Sequence, residues 1–423
     1  VRGLLADTTP LRTADFRRLW LAGIVTVIGA NLTIFAVPVQ LYALTRSSAY
    51  VGLSGIFALV PLIVFGLWGG AWADAMDRRR LLIIASAGLA VASALLWAQA
   101  ALDCANAWVV LCLLAVQQAF YAVNSPTRAA AIPRILPEGQ LAAANALNMT
   151  VMQFGAIVGP LLAGVLLRWV DLSTLYAIDA LTCLVGVWAT VRLAPMPPTG
   201  EPGGAGWGLG AVVDGFRYVA GHKVVLMSFV VDLVAMIFGM PRALFPQMAH
   251  ESFGGPLEGG TTMALLAAAM SAGAVAGGMF SGWLPRVRRQ GLAVVVAIVV
   301  WGITMVGFGL AGGAADGRAG LFFWVALGCL ALGGAADMVS AAFRSTILQQ
   351  AVTDEVRGRL QGVFTVVVAG GPRLADAVHG AAAAAVGTTV AAAGGGALVV
   401  VGMVLCVLAA PAFVRYRVST SRT

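Results

Sequence analysis

Lys and Arg in this chain gather in every second gap between long apolar runs. About twelve such runs of roughly 20 residues, the length that crosses a hydrocarbon core as a helix, begin near residues 19, 49, 81, 107, 144, 172, 224, 260, 290, 319, 360 and 388. Of the 26 Lys and Arg, only Arg46, Arg168, Arg242 and Arg318 fall in one set of alternate gaps and Arg373 falls inside a run; the other 21 fall in the set that includes both chain ends. Basic loops stay on the cytoplasmic side, so the asymmetry predicts a multi-pass membrane protein with cytoplasmic N- and C-termini.

Composition narrows the function classes. A chain that is 60% hydrophobic and 10% charged, with mean hydropathy +0.92, has too little polar surface for a water-soluble fold. In a soluble protein a net charge of +8 would suggest nucleic acid, but here the basic residues sit at helix ends, where anionic headgroups and topology account for them. The first run lacks a small-residue cleavage site and follows a charged stretch, which reads as a retained helix. The five cysteines lie in or beside apolar runs without paired spacing and read as packing residues, with no metal site. No nucleotide-binding glycine loop occurs and there are three His, so neither an enzyme nor a cofactor is expected. A single Lys, Lys223, among mostly Arg, with abundant Ala, Gly and Val, fits a GC-rich bacterial gene and hence a bacterial plasma membrane.

The Pro- and Gly-rich stretch from Ala194 to Gly210 cannot hold a helix and separates two sets of six runs. This predicts an N-terminal bundle over 1–193, a cytoplasmic linker and lead-in over 194–223, and a C-terminal bundle with a short tail over 224–423. The halves also echo one another. GGAWAD at Gly69 corresponds to GGMFSG at Gly277, GPLLAG at Gly159 to GPRLAD at Gly371, and Arg128 to Arg344, at offsets of 208, 212 and 216 residues. Duplicated helical halves around a central site are a transporter architecture, and energy would come from an ion gradient.

GGAWADAMDRRR, Gly69 to Arg80, falls after the second run and resembles the loop signature of the major facilitator superfamily. Gly70, Asp74, Arg78 and Arg79 match it, while Ala75 replaces a basic residue and Asp77 a glycine. Glycines permit close helix approach, and Asp74 can pair across an interface or cap a helix; the resemblance implies a cytoplasmic conformational latch. In the fifth run, GAIVGPLLAG resembles the antiporter motif of that superfamily, with Gly155, Gly159, Pro160 and Gly164 in place and Ala163 substituting a glycine. The resemblance favours export over uptake. Ser125 to Leu147 resembles the drug-and-siderophore export branch, Phe35 to Thr45 and Val51 to Gly55 resemble its siderophore exporters, and the second half resembles them chiefly through Leu360 to Gly362 and Asp376 of GPRLAD.

Ionisable residues at bilayer depth are expensive and point to function. Arg373 lies 14 residues past Arg359, about 21 Å along a helix, with Asp376 and His379 following on one arc. Asp376 beside Arg373 is the first candidate for a coupling proton and Asp232 the second; an intrahelical pair that only packs is the structural alternative. Asp337 and Asp179 also fall within runs. Arg128, Gln117, Gln118, Asn124, Asn31 and Gln40 are candidates to bind a polar substrate, or equally to join helices. The expectation is an all-α membrane protein of twelve transmembrane helices in two pseudo-symmetric six-helix bundles. It would be a monomer that exports a siderophore or related small molecule by proton antiport, with efflux of macrolide-like drugs as the alternative.

Overall fold

The computed structural model describes residues 7–197, 217, 219–351 and 354–415, with backbone alone at 67, 69–71, 73–75, 224, 285, 349–351 and 354–366. Most of the expected linker therefore lies outside the described residues. Among the described residues twelve long helices follow one another: α1 Ala14–Thr45, α2 Ser48–Ala75, α3 Arg78–Ala101, α4 Ala107–Ile135, α5 Leu141–Leu166, α6 Leu172–Val191, α7 Lys223–Gly239, α8 Thr261–Met279, α9 Gln290–Gly313, α10 Leu321–Ala351, α11 Asp354–Val386 and α12 Thr388–Ala409. No strand occurs among the described residues. Eleven of these segments are long and apolar enough to cross a membrane, and α11 is set apart by Arg373, Asp376 and His379 along its length.

Local chemistry explains the boundaries. Asp77 caps α3 by accepting from the backbone N–H groups of Arg79 and Arg80, and Asn106 caps α4 by accepting from that of Trp108. Arg46, Asp103, Ala105 and Asp316 adopt positive φ in the tight connections after α1, α3 and α9. Pro241 and Pro246 end the regular part of the seventh run at Gly239; short helical turns continue it to Ser252. The family-like loop after the second run is largely helical, since α2 continues through Ala75 and leaves Met76 and Asp77 as the turn.

The chain divides into two compact units, Val1–Leu44 with Phe57–Gly208, and Thr45–Ile56 with Leu209–Thr423. The first turns of α2, expected with the N-terminal half, thus cluster with the second unit. In the first unit α3 packs on α4 and α6; in the second α9 packs on α10 and α12, which is the same pattern six helices later. Small residues permit these crossings. A Cβ on Gly302 of α9 would stand 2.9 Å from the carbonyl oxygen of Gly396 on α12, and one on Gly277 of α8 3.0 Å from the Cα of Ala335 on α10. Outward faces are apolar: Ile84, Val91 and Leu95 on α3, and Leu398, Val401, Leu405 and Leu408 on α12, are exposed at helical spacing, as lipid contact requires.

Candidate functional site

The first unit holds a buried polar hub centred on Asp179 of α6, whose residue exposure is 1%. Its Oδ2 accepts from Thr33 Oγ1 on α1 at 2.7 Å, Ser93 Oγ on α3 at 2.8 Å and Gln117 Nε2 on α4 at 3.3 Å. Gln117 also donates to Ser93 Oγ at 2.9 Å, and Cys183 Sγ stands 3.8 Å from Oδ1. One turn of α6 earlier, the Tyr176 hydroxyl donates to Gln40 Oε1 at 2.8 Å, and Gln40 and Gln99 exchange amide hydrogen bonds at 3.0 and 3.1 Å. Four helices are therefore joined by polar groups that would each be costly to leave unpaired in an apolar interior.

Two of the six substrate-binding candidates, Gln117 and Gln40, belong to this hub. Asn124 donates to Ser86 on α3 at 2.9 Å, and Arg128 donates to the Leu19 carbonyl on α1 at 2.5 Å. Asn31 donates to the Val27 carbonyl of its own helix at 2.8 Å, and Gln118 on α4 is half-buried. Asn31 also meets the antiporter-like motif. A Cβ on Gly159 would fall on the Asn31 side chain, and one on Gly155 would fall on Val27, so these glycines let α5 lie directly against α1. Pro160 and Gly164 are buried on the same helix.

At the other end of the first unit, Arg78 donates to the Ala130 carbonyl at 2.8 Å and Arg79 to the Val191 carbonyl at 2.7 Å. Asp77 Oδ2 accepts from the Met196 N–H at 3.0 Å. The arginines of the family-like motif thus bind helix ends of their own unit. Gly70 falls on the final turns of α2, as does Asp74, and the Asp74 side chain lies outside the described residues.

The second unit carries a buried charge cluster. Arg344 of α10 donates to Asp232 of α7, and its other terminal nitrogen is 3.9 Å from Asp337 one face along α10. Two buried hydroxyls, Ser228 and Ser340, stand one helical turn before Asp232 and Arg344 and have no hydrogen-bond partner among the described residues. Asp232 was legible from its depth in an apolar run. Arg344 was legible only as the repeat partner of Arg128, although its spacing of seven from Asp337 already placed both on one helix face.

Asp376 of α11 is paired with Arg242, 3.1 Å away in the short turns after α7, while Arg373 donates to the Ala369 carbonyl at 2.7 Å. Asp376 and Arg373 lie where the first turns of α2 touch α11. A Cβ on Gly52 would stand 2.6 Å from the Asp376 carbonyl oxygen, and one on Gly55 would fall on the Arg373 carbonyl. Ser48 donates to Gln247 at 2.6 Å beside this contact. His379 Nε2 is 3.1 Å from the Phe238 carbonyl, and in the tautomer with the proton on Nε2 this contact joins α11 to α7.

The profile described as "Transmembrane secretion effector" matches residues 6–419. The chain belongs to that family, a branch of the major facilitator superfamily. Among curated relatives it is 28% identical over 377 residues to the enterobactin exporter EntS of Citrobacter koseri, covering 86% of this chain and 84% of that protein. It is 27% identical over 374 residues to EntS of Shigella boydii, with the same coverage of each. The nucleoside transporter NupG has the same fold, with a TM-score of 0.72 at 13% identity over 95% of this chain and 98% of that one. A bacterial homologue of the lysosomal transporter Spinster, solved inward-facing and unoccupied, gives a TM-score of 0.70 at 16% identity over 98% of this chain and 100% of that one. At those identities the solved structures carry the fold alone. This secretion-effector family member is therefore a multi-pass membrane transporter of a small-molecule substrate and not an enzyme.

Proposed function

We propose that the chain exports a siderophore-like polar small molecule across the bacterial plasma membrane by proton antiport and alternating access, with both termini in the cytoplasm. The observation that carries the coupling is the Arg344 cluster. Asp232 and Asp337 share one guanidinium, which leaves a carboxylate uncompensated at bilayer depth. A proton supplies that compensation, and its release needs only a shift of Arg344 from one carboxylate to the other. The unpartnered Ser228 and Ser340 hydroxyls line the same helix faces and offer a relay. The relatives' name as enterobactin exporters supports the substrate class, and the alternate basic loops support the orientation.

Everted membrane vesicles acidified inside test the reading with enterobactin as probe. Accumulation above empty-vector vesicles, collapsed by a protonophore and absent in Asp232→Asn at equal abundance, is the expected result. Accumulation indifferent to the pH gradient would overturn the coupling, and none above the empty vector would overturn the substrate class. Reporter fusions after Asp103 and Asp316 are expected to report the outside, and fusions after Arg80 and Arg289 the cytoplasm.

A further inference from the structure

In the first unit Arg128, the repeat counterpart of Arg344, donates to the Leu19 carbonyl, and the buried carboxylate Asp179 has partners of another kind among the described residues. All the donors to its carboxylate are neutral: Thr33 from α1, Ser93 from α3, Gln117 from α4 and, more distantly, Cys183 from α6 itself. The titratable groups near it are Cys183 and, one turn earlier, Tyr176, both on α6; α1, α3 and α4 present no charge to it among the described residues. An ionised carboxylate in that setting has hydrogen bonds but no counter-charge.

The two oxygens are not equivalent. Oδ2 carries the three short bonds, while Oδ1 has only the thiol at 3.8 Å and faces Gly29 of α1, where a Cβ would stand 2.9 Å away. Gly29 therefore lets α1 and α6 pack closely beside Oδ1, where that Cβ would also fall on Thr182 Oγ1. Ser93 is also bifunctional. Its Oγ lies 2.8 Å from Asp179 Oδ2, 3.9 Å from Cys183 Sγ and 2.9 Å from the Gln117 amide that donates to it. When Asp179 is ionised, the Ser93 hydroxyl donates to Oδ2. When a proton from solvent binds Oδ2, that new O–H donates to Ser93 Oγ, and the Ser93 hydrogen turns to Cys183 Sγ. Both protonation states are hydrogen-bonded without moving a heavy atom, which a hub serving only to join helices does not require.

We propose that Asp179 is a second proton-binding site of the transporter, built into the first unit, with Ser93 as the hydroxyl rotor that accommodates the bound proton. Its role in transport rests on the proton-coupling reading above; the binding itself does not. Infrared difference spectra of the full-length protein in sodium-free proteoliposomes, recorded over a pH titration, detect the carbonyl band of a protonated carboxyl group directly and need no substrate. The expected result is a titrating band that is lost in Asp179→Asn and displaced in Ser93→Ala, which keeps the carboxyl group but removes the rotor. Titrations that superimpose for wild type and both variants would overturn the proposal. So would a band that is lost in Asp179→Asn but does not change with pH in the wild type, because the site would then be permanently neutral and structural. A transition that appears only when sodium is added would assign the hub to a metal cation instead. If Asp179→Asn fails to reach the membrane, Ser93→Ala decides alone, and an undisplaced band sinks the idea. Failure of enterobactin transport with a titrating Asp179 band would reject the substrate and leave this site standing.

Discussion

Arg344 of α10 reaches across to Asp232 of α7, and the pair is closed off from solvent, with side-chain exposures of 7% and 5%. Removing one member of a buried pair leaves an unmatched charge and costs about 3–5 kcal/mol, whereas replacing both with apolar groups is often neutral. Arg344→Met alone is therefore expected to lower membrane abundance and thermal stability in detergent sharply. Arg344→Met with Asp232→Leu is expected to regain most of both while remaining inactive in gradient-driven export. If the double variant is as unstable as the single one, Asp337→Asn, which removes the carboxylate left without Arg344, is expected to restore it; a triple variant that stays unstable would show that the cluster holds the fold together in a way charge balance does not explain.

Asp77 stands where the superfamily signature usually has glycine, and its geometry explains the exchange. The carboxylate caps α3 and binds the Met196 N–H, which fastens the chain after α6 to the start of α3. Asp77→Ala removes both, and loss of a cap alone costs about 0.5–2 kcal/mol. A measurable fall in the thermal midpoint is expected, with transport rate per folded molecule preserved. A fall in rate at unchanged stability would show that this end of the unit moves during transport.

Gly159 packs against Asn31 where α5 lies on α1. Gly159→Val places two methyl groups where the Asn31 side chain stands, and overpacking of that kind costs about 1–3 kcal/mol. The expected outcome is reduced abundance and export, with Gly159→Ala intermediate; pairing Gly159→Ala with Asn31→Ala is expected to recover stability. Recovery of export along with stability would make Asn31 a packing residue, and recovery of stability alone would leave it a part in substrate binding.

The succession of helices was legible from the sequence because lipid imposes one rule on every spanning segment, an apolar stretch of fixed length. The repeat was legible for a related reason, since Gly159, Gly277 and Gly371 are small residues at close crossings. Side-chain partnerships were not. Asp376 has Arg373 three residues away in sequence, yet its ion-pair partner Arg242 lies 134 positions earlier, beyond a proline break that no local period announces. Asp179 was visible as a charge in an apolar run. Its partners Thr33, Ser93 and Gln117 are ordinary residues on three other helices, and only their convergence makes them a hub.

The Arg242 to Asp376 pair separates a structural from a coupling role by magnitude. Arg242 is 45% exposed along its side chain, and an ion pair with so exposed a member contributes about 0–1 kcal/mol. If the pair only holds α11 to the turns after α7, Asp376→Asn and Arg242→Gln should both be nearly silent in abundance, stability and export. If Asp376 carries a coupling proton, Asp376→Asn still leaves abundance and stability almost unchanged, because so little energy is at stake, yet abolishes gradient-driven export. Downhill exchange of preloaded enterobactin then persists, since the carboxamide binds no proton but leaves the path intact. Arg242→Gln keeps the carboxyl group and is expected to shift the pH dependence of export rather than end it. Wild-type export by Asp376→Asn under a gradient, measured beside Asp232→Asn in the same vesicles, would remove α11 from the coupling path and leave the Arg344 cluster to carry it in the second unit.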